Sequence, residues 1–100
     1  MAPSSPDLVP LRLALSGPLT AATAVEQRAE LLLRLGDAGD VTLALAEVTE
    51  IDAAGLQLLL SARRWAAARG RGFAVEGAPL ALEERCAALG RPLDTLGHER

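Results

Sequence analysis

The change of hydrophobic period within residues 41–60 is the sequence feature that most constrains this fold. Val41, Leu43 and Leu45 alternate with other residues, which is typical of a β-strand with one face in a core. From about residue 54 the apolar residues recur instead at the spacing of an amphipathic helix. A strand followed at once by a helix places the loop of residues 51–55 at the carboxyl end of a strand. In open α/β sheets, ligands and partners usually bind at that end.

The rest of the chain shows the same alternation of strand and helix periods. Strands are predicted near 11–15, 41–46 and 72–76, and helices near 20–36, 54–69 and 79–89. With right-handed crossovers, this order predicts a small α/β domain with a mainly parallel sheet. We predict a disordered lead-in at 1–7, one domain at 8–97 and a frayed tail at 98–100.

Several residues have the chemistry expected at helix ends. Asp52 stands where an N-cap belongs, with a carboxylate that accepts from the free amides of the first turn. Gly55 lies in that first turn, where a missing side chain lets another backbone approach closely. Thr20 is the predicted cap of the first helix, and Gly36 and Gly39 are available for a left-handed end.

Composition excludes several classes of function. The formal net charge of −3 argues against nucleic-acid binding, which requires a basic stripe. A lone cysteine, Cys86, excludes an internal disulfide and a multi-cysteine metal site, and fits a reducing compartment. We find neither a signal-peptide pattern nor an apolar run of the ~20 residues that a membrane span needs. We therefore expect a cytoplasmic protein without direct membrane insertion.

No set of residues predicts catalysis, a metal or a cofactor. His98 is the only histidine and lies in the predicted tail, and no serine stands in a Gly-X-Ser-X-Gly turn. Cys86 falls on the apolar side of the third predicted helix, so we expect it to be buried rather than nucleophilic. Asp52 is interpreted as a helix cap. We expect no enzyme activity, no cofactor and no bound metal.

Four segments, taken in order, resemble the STAS domain family. They are Leu15-Ser-Gly17-Pro-Leu-Thr20, Val41-Thr-Leu-Ala-Leu-Ala-Glu-Val48, Ile51-Asp52-Ala-Ala-Gly55-Leu56 and Arg69-Gly70. The family includes bacterial anti-sigma factor antagonists, a small subunit of a phospholipid-transporting ABC system, and the cytoplasmic tails of sulphate transporters. The resemblance implies four or five strands with helices packed against them, and a protein that works by binding another protein.

The sequence departs from the family at its phosphorylation position. In phospho-regulated members the residue before this glycine is serine or threonine, whereas here it is Ala54. In the transporter subunit a threonine follows the aspartate, whereas here Ala53 does. Alanine has no hydroxyl to esterify, so the familiar switch cannot operate at either position. Thr49 is a nearby hydroxyl on the other side of Asp52.

The resemblance implies a partner surface on the Asp52 loop and the outward face of the following helix. Its predicted members are Asp52, Ala53, Ala54, Gly55, Leu56, Gln57, Leu60, Ser61 and Arg64. Whether Leu56 and Leu60 are exposed there, or covered by a neighbouring helix, stays open. The implied partner is a kinase-like anti-sigma factor, a transporter ATPase, or a protein of a chemotaxis or other signalling cluster. A homodimer also stays open.

Overall fold

The protein forms three parallel strands and three helices in strict alternation. The computed structural model describes residues 9–36 and 38–93. The elements are β1 (Val9–Leu19), α1 (Ala24–Leu35), β2 (Ala38–Ile51), α2 (Ala53–Ala68), β3 (Phe73–Glu76) and α3 (Leu80–Ala88). The sheet order is β1-β2-β3, and both strand pairs are parallel. The predicted α/β class is confirmed.

The strand count is lower than the resemblance implied. The described residues contain a three-stranded sheet rather than four or five strands. The lead-in at 1–7 and the tail at 98–100 lie outside the described residues, so those predictions stay predictions. After Gly90 the structure describes the chain only as far as Leu93, which packs into the core.

The central strand β2 extends well beyond the predicted range of 41–46, because it stays paired with β1 through register shifts that break its period of two. The paired residues shift between Ala14 and Ser16 of β1, and again between Gly17 and Pro18. At each shift β2 contains one more residue than β1, which turns the following side chains to the opposite face. The buried positions of β2 therefore change from a spacing of two to a spacing of three, at Leu45, Val48 and Ile51.

A leucine-rich core joins one face of the sheet to the helices. The strands contribute Leu13 and Leu15 from β1, and Val41, Leu43 and Leu45 from β2. The predicted inward face of α2 is confirmed, since all of its members are buried: Gly55, Leu58, Leu59, Ala62 and Ala66. Cys86 of α3 is fully buried, as predicted. Because Trp65 and Phe73 are the only aromatic residues of the sequence, the core depends on many aliphatic contacts.

The opposite sheet face carries an ion pair that crosses the central strand. Arg12 of β1 and Glu76 of β3 lie on the two outer strands, and their side chains form a salt bridge. The Arg12 Nε donates to the Glu76 Oε2 at 2.7 Å. Both groups are largely exposed, so the pair stabilises the fold by at most about 1 kcal/mol.

Two of the predicted helix ends are wrong. α1 begins at Ala24 rather than at 20, because residues 20–23 form a turn in which the Thr20 carbonyl accepts from the Thr23 and Ala24 amides. Gly36 ends α1 in a right-handed conformation, and Gly39 belongs to β2, so neither provides a left-handed end.

Within the residues that the structure describes, no helix has the length and hydropathy needed to cross a bilayer.

Candidate functional site

The Asp52 carboxylate connects two loops at the carboxyl end of the sheet. Its Oδ1 accepts from the Gly55 amide at 3.0 Å, which confirms the predicted N-cap of α2. Its Oδ2 accepts from the Ala21 amide, also at 3.0 Å. The Asp52 amide donates to the Leu19 carbonyl at 3.2 Å. Asp52 thus holds the β1–α1 turn and the start of α2 in one fixed arrangement.

The contact with Ala21 was missed in the sequence analysis. Asp52 and Ala21 are separated by 31 residues. The loops meet because β1 and β2 end side by side in the sheet. A pattern within a short segment of sequence does not show that these two strand ends are adjacent.

These hydrogen bonds determine the protonation state of Asp52. The amide of Ala21, followed by that of Gly55, stabilises the charged carboxylate and lowers the pKa of Asp52. Burial opposes this shift, and the Arg85 guanidinium adds a smaller lowering of the pKa. The carboxylate is therefore ionised near neutral pH and is occupied by backbone donors, which suits a structural cap rather than a general acid.

Gly55 is required because α2 begins against the end of β1. A Cβ atom built on Gly55 would overlap the carbonyl oxygen of Leu19 and lie 2.7 Å from its carbonyl carbon. It would also lie 2.9 Å from the Cγ1 of Ile51. The close backbone approach predicted for this glycine is confirmed, and its partner is Leu19.

The two alanines between Asp52 and Gly55 form the first residues of α2. Ala53 is exposed and Ala54 is partly exposed, so side chains at these positions reach solvent beside the loop. The nearest hydroxyl considered in the sequence analysis, Thr49, is exposed on β2.

The outward face of α2 is polar and narrower than predicted. Gln57, Ser61 and Arg64 are exposed and follow one another along the helix from the Asp52 loop. Leu56 and Leu60 are each only 5% exposed and belong to the hydrophobic core. The structure therefore supports the alternative in which these two leucines are covered. Gly55 is buried as well, so none of the three belongs to an exposed surface.

A cleft of about 490 Å³ lies at the carboxyl end of β2, between that strand and α3. Asp52 and Thr49 line it from the sheet side, and Pro79 and Arg85 line it from the α3 side. The Arg85 Nε donates to the Ile51 carbonyl at 3.4 Å, which connects α3 to the same strand end. The sequence analysis missed Arg85, because only the packing of α3 brings it to the sheet end.

The structure describes Cys86 but not His98, the other side chain considered for chemistry in the sequence. Within 9–36 and 38–93, no group of three or more His, Cys, Asp or Glu side chains is placed to hold a metal ion. Burial raises the pKa of the Cys86 thiol, which disfavours the reactive thiolate. His98 lies outside the described residues.

Comparison with known proteins identifies the family. A family model described as "Mlab, STAS domain" matches residues 5–96. A search of curated proteins finds no match. Among solved structures, the fold is similar to that of the SulP transporter STAS domain from Vibrio cholerae, with a TM-score of 0.60 and 22% sequence identity. That match covers 87% of this chain and 67% of the other. The chain belongs to the STAS domain family, whose members are protein-interaction and regulatory modules.

Proposed function

We propose that this chain is a non-catalytic regulatory module that binds a partner protein at the carboxyl end of its sheet. The proposed surface consists of Ala53, Ala54, Gln57, Ser61 and Arg64. Its principal support is that Asp52 fixes both adjoining loops through the Ala21 and Gly55 amides. A surface held in one conformation loses little entropy on binding, which favours recognition of a partner.

The proposed module resembles an anti-sigma factor antagonist that lacks the usual phosphorylation switch. A phosphate at the residue before Gly55 would add up to about −2 charge at the start of α2. Ala54 cannot carry it. The contact surface would therefore stay permanently unmodified at this position, and binding would be controlled by the amount of the partner or of the chain itself.

A transporter ATPase is a second candidate partner. It is supported by the resemblance of the sequence to the small STAS subunit of a phospholipid-transporting ABC system. The same surface would bind the ATPase, because a docking subunit also needs a fixed loop and an exposed helix face. A role in a chemotaxis or other signalling cluster is an extension of the first candidate.

A binding experiment with purified partners tests the proposal and separates the candidates. The probes are an anti-sigma factor and an ABC ATPase encoded in the same genome, with affinity measured by calorimetry. We expect one of them to bind, and the double variant Gln57→Arg with Ser61→Arg to weaken its binding at least about tenfold. The reason is that two bulky charges would have to lose water in the interface.

The matched control adds the same charge elsewhere. Ala87→Arg with Ala88→Arg places two arginines on exposed positions of α3, outside the proposed surface. Binding by this control should equal that of the natural chain. Equal loss of affinity in both double variants would show that net charge, not the α2 face, determines binding and would refute the proposed surface.

The absence of a switch is tested by restoring the hydroxyl. Incubated with a kinase-type anti-sigma factor and labelled ATP, Ala54→Ser should be phosphorylated and the natural chain should not. Serine at a helix start costs little, so the variant should fold. Ala53→Ser, with a hydroxyl one residue earlier, is the positional control and should stay unlabelled. Label on natural Thr49 would show that the switch has moved to that residue.

A further inference from the structure

A groove between α1 and α2 adjoins the proposed surface, since Ser61 and Arg64 line it as well. Its volume is about 330 Å³. Leu31 and Leu58 line it from the core side, and Leu32 of α1 and Trp65 of α2 are further lining residues. It is therefore an apolar depression between two helices, the geometry in which proteins commonly bind a third helix.

The outer side of α1 is unusually apolar next to this groove. Leu31 and Leu35 face the core, yet Val25 is 80% exposed, Leu32 is 43% exposed and Leu33 is 83% exposed. Val25 and Leu32 are seven residues apart and so lie on the same side of the helix. An apolar surface of this kind beside a groove is typical of a protein-interaction site.

Positive charge borders the groove. Arg28 of α1 and Arg64 of α2 both line it. Among the described residues, neither guanidinium forms a salt bridge, and the acidic residue Glu30 pairs instead with Arg34. In a chain of net charge −3, the groove thus carries two arginines that are available to an anionic group.

We propose that this groove binds an acidic amphipathic helix of a partner protein. The apolar stripe of the helix would pack against Leu32 and Trp65, and its flanking carboxylates would pair with Arg28 and Arg64. Charge-assisted pairs between arginine and carboxylate are strong and directional, so they would fix the orientation of the helix. Arg64 belongs both to this groove and to the surface proposed above, so this inference extends the proposed function. Arg28 and Leu32 lie outside that surface, so variants at these two positions test the groove separately.

Trp65 provides the probe, since it is the only tryptophan in the chain and lines the groove. The titrant is a synthetic helical peptide of about 18 residues with leucines at i, i+3, i+4 and i+7, glutamates beside them and no tryptophan. We expect a saturating change in Trp65 emission. The same peptide with lysine in place of glutamate should bind at least about tenfold more weakly.

Charge reversal on the protein completes the test. Arg28→Glu should weaken binding of the glutamate peptide about tenfold and strengthen binding of the lysine peptide. Leu32→Gln should weaken binding of both. Arg91→Glu, which reverses an exposed arginine outside the groove, is the control and should bind as the natural chain does. Thermal melts establish that each variant is folded.

Three results would overturn the inference. One is equal binding of the two peptides, which would mean that the charges on the groove have no role. Another is undiminished binding of the glutamate peptide by folded Arg28→Glu and Leu32→Gln. The third is self-association of the natural chain that Leu32→Gln abolishes, since the occupant would then be a second copy.

Discussion

Two residues determine the geometry of the loop at residues 51–55. Asp52 stabilises it by accepting two backbone hydrogen bonds, and Gly55 permits it by leaving room for the Leu19 carbonyl. Neither residue needs to touch a partner to be essential. Their effects should therefore appear first in stability and only then in binding.

Gly55→Ala should lower the free energy of unfolding by about 2–3 kcal/mol, because the added methyl would overlap the backbone of Leu19 and force α2 away from β1. Denaturant unfolding measures this loss. Gly36→Ala is the matched control, since a Cβ there would meet only the Leu33 carbonyl oxygen, at an ordinary 3.6 Å. That control should change stability by less than about 1 kcal/mol. Similar values for the two variants would show that the close approach at Gly55 is not needed.

The charge of Asp52 should stabilise the fold in a pH-dependent way. Its pKa is lower in the folded chain than in the unfolded one, so its contribution is present above the ordinary pKa of about 3.9. The contribution is lost as the pH falls through the lower, folded pKa. Asp52→Asn keeps a capping oxygen without the charge. The natural chain should melt a few degrees above this variant at pH 7, and the difference should shrink below about pH 4. A constant difference would contradict the charge effect.

At the scale of elements, α2 has one buried face and one narrow exposed face. Its inward residues pack against the sheet, and Leu56 and Leu60 extend that packing around the helix. Only Gln57, Ser61, Arg64 and their exposed neighbours are left for a partner. The helix is thus more deeply embedded than a simple amphipathic helix on a surface.

Single charges should distinguish the two faces. Leu60→Glu should destabilise the domain by about 3 kcal/mol or more, because the carboxylate would be placed in an apolar core without a partner. Gln57→Glu introduces the same group on the exposed line and should change stability by less than about 0.5 kcal/mol. Urea unfolding of both variants measures the contrast. A stable Leu60→Glu domain would show that Leu60 is accessible, and Leu60 would then belong to the proposed partner surface.

At the scale of the whole molecule, one core connects all the elements. The buried cluster includes residues of β1, β2 and every helix, and extends to Leu93 beyond α3. Phe73 and Val75 of β3 are partly buried and pack against it. A domain with a single continuous core should unfold in one cooperative transition.

Leu93→Ala tests whether the end of the described chain belongs to that core. We expect a loss of about 2–3 kcal/mol and a single transition, since a buried leucine is replaced by a cavity. Leu80→Ala makes the same exchange at an exposed position of α3 and should change stability by less than about 0.5 kcal/mol. Calorimetry on both variants is the measurement. A separate low-temperature transition in Leu93→Ala would mean that this segment unfolds independently.

The sequence determined the order of elements, the inward face of α2 and the Asp52 cap. These follow from period, burial preference and capping chemistry, which act between residues close together in the chain. The resemblance to the STAS family also came from short segments whose order and spacing are visible in the sequence, and the family model confirms it.

Tertiary structure decided the features that depend on neighbours distant in the chain. The bonds of Asp52 to Ala21 and of Arg85 to Ile51 exist only because strands and a helix meet at one sheet end. The length of β2 depends on its continued pairing with β1, and the register shifts along that pairing break the period of two that indicates a strand in the sequence. The burial of Leu60 depends on what packs beside α2. Each of these features depends on contacts between residues far apart in the chain. Local patterns in the sequence do not report such contacts.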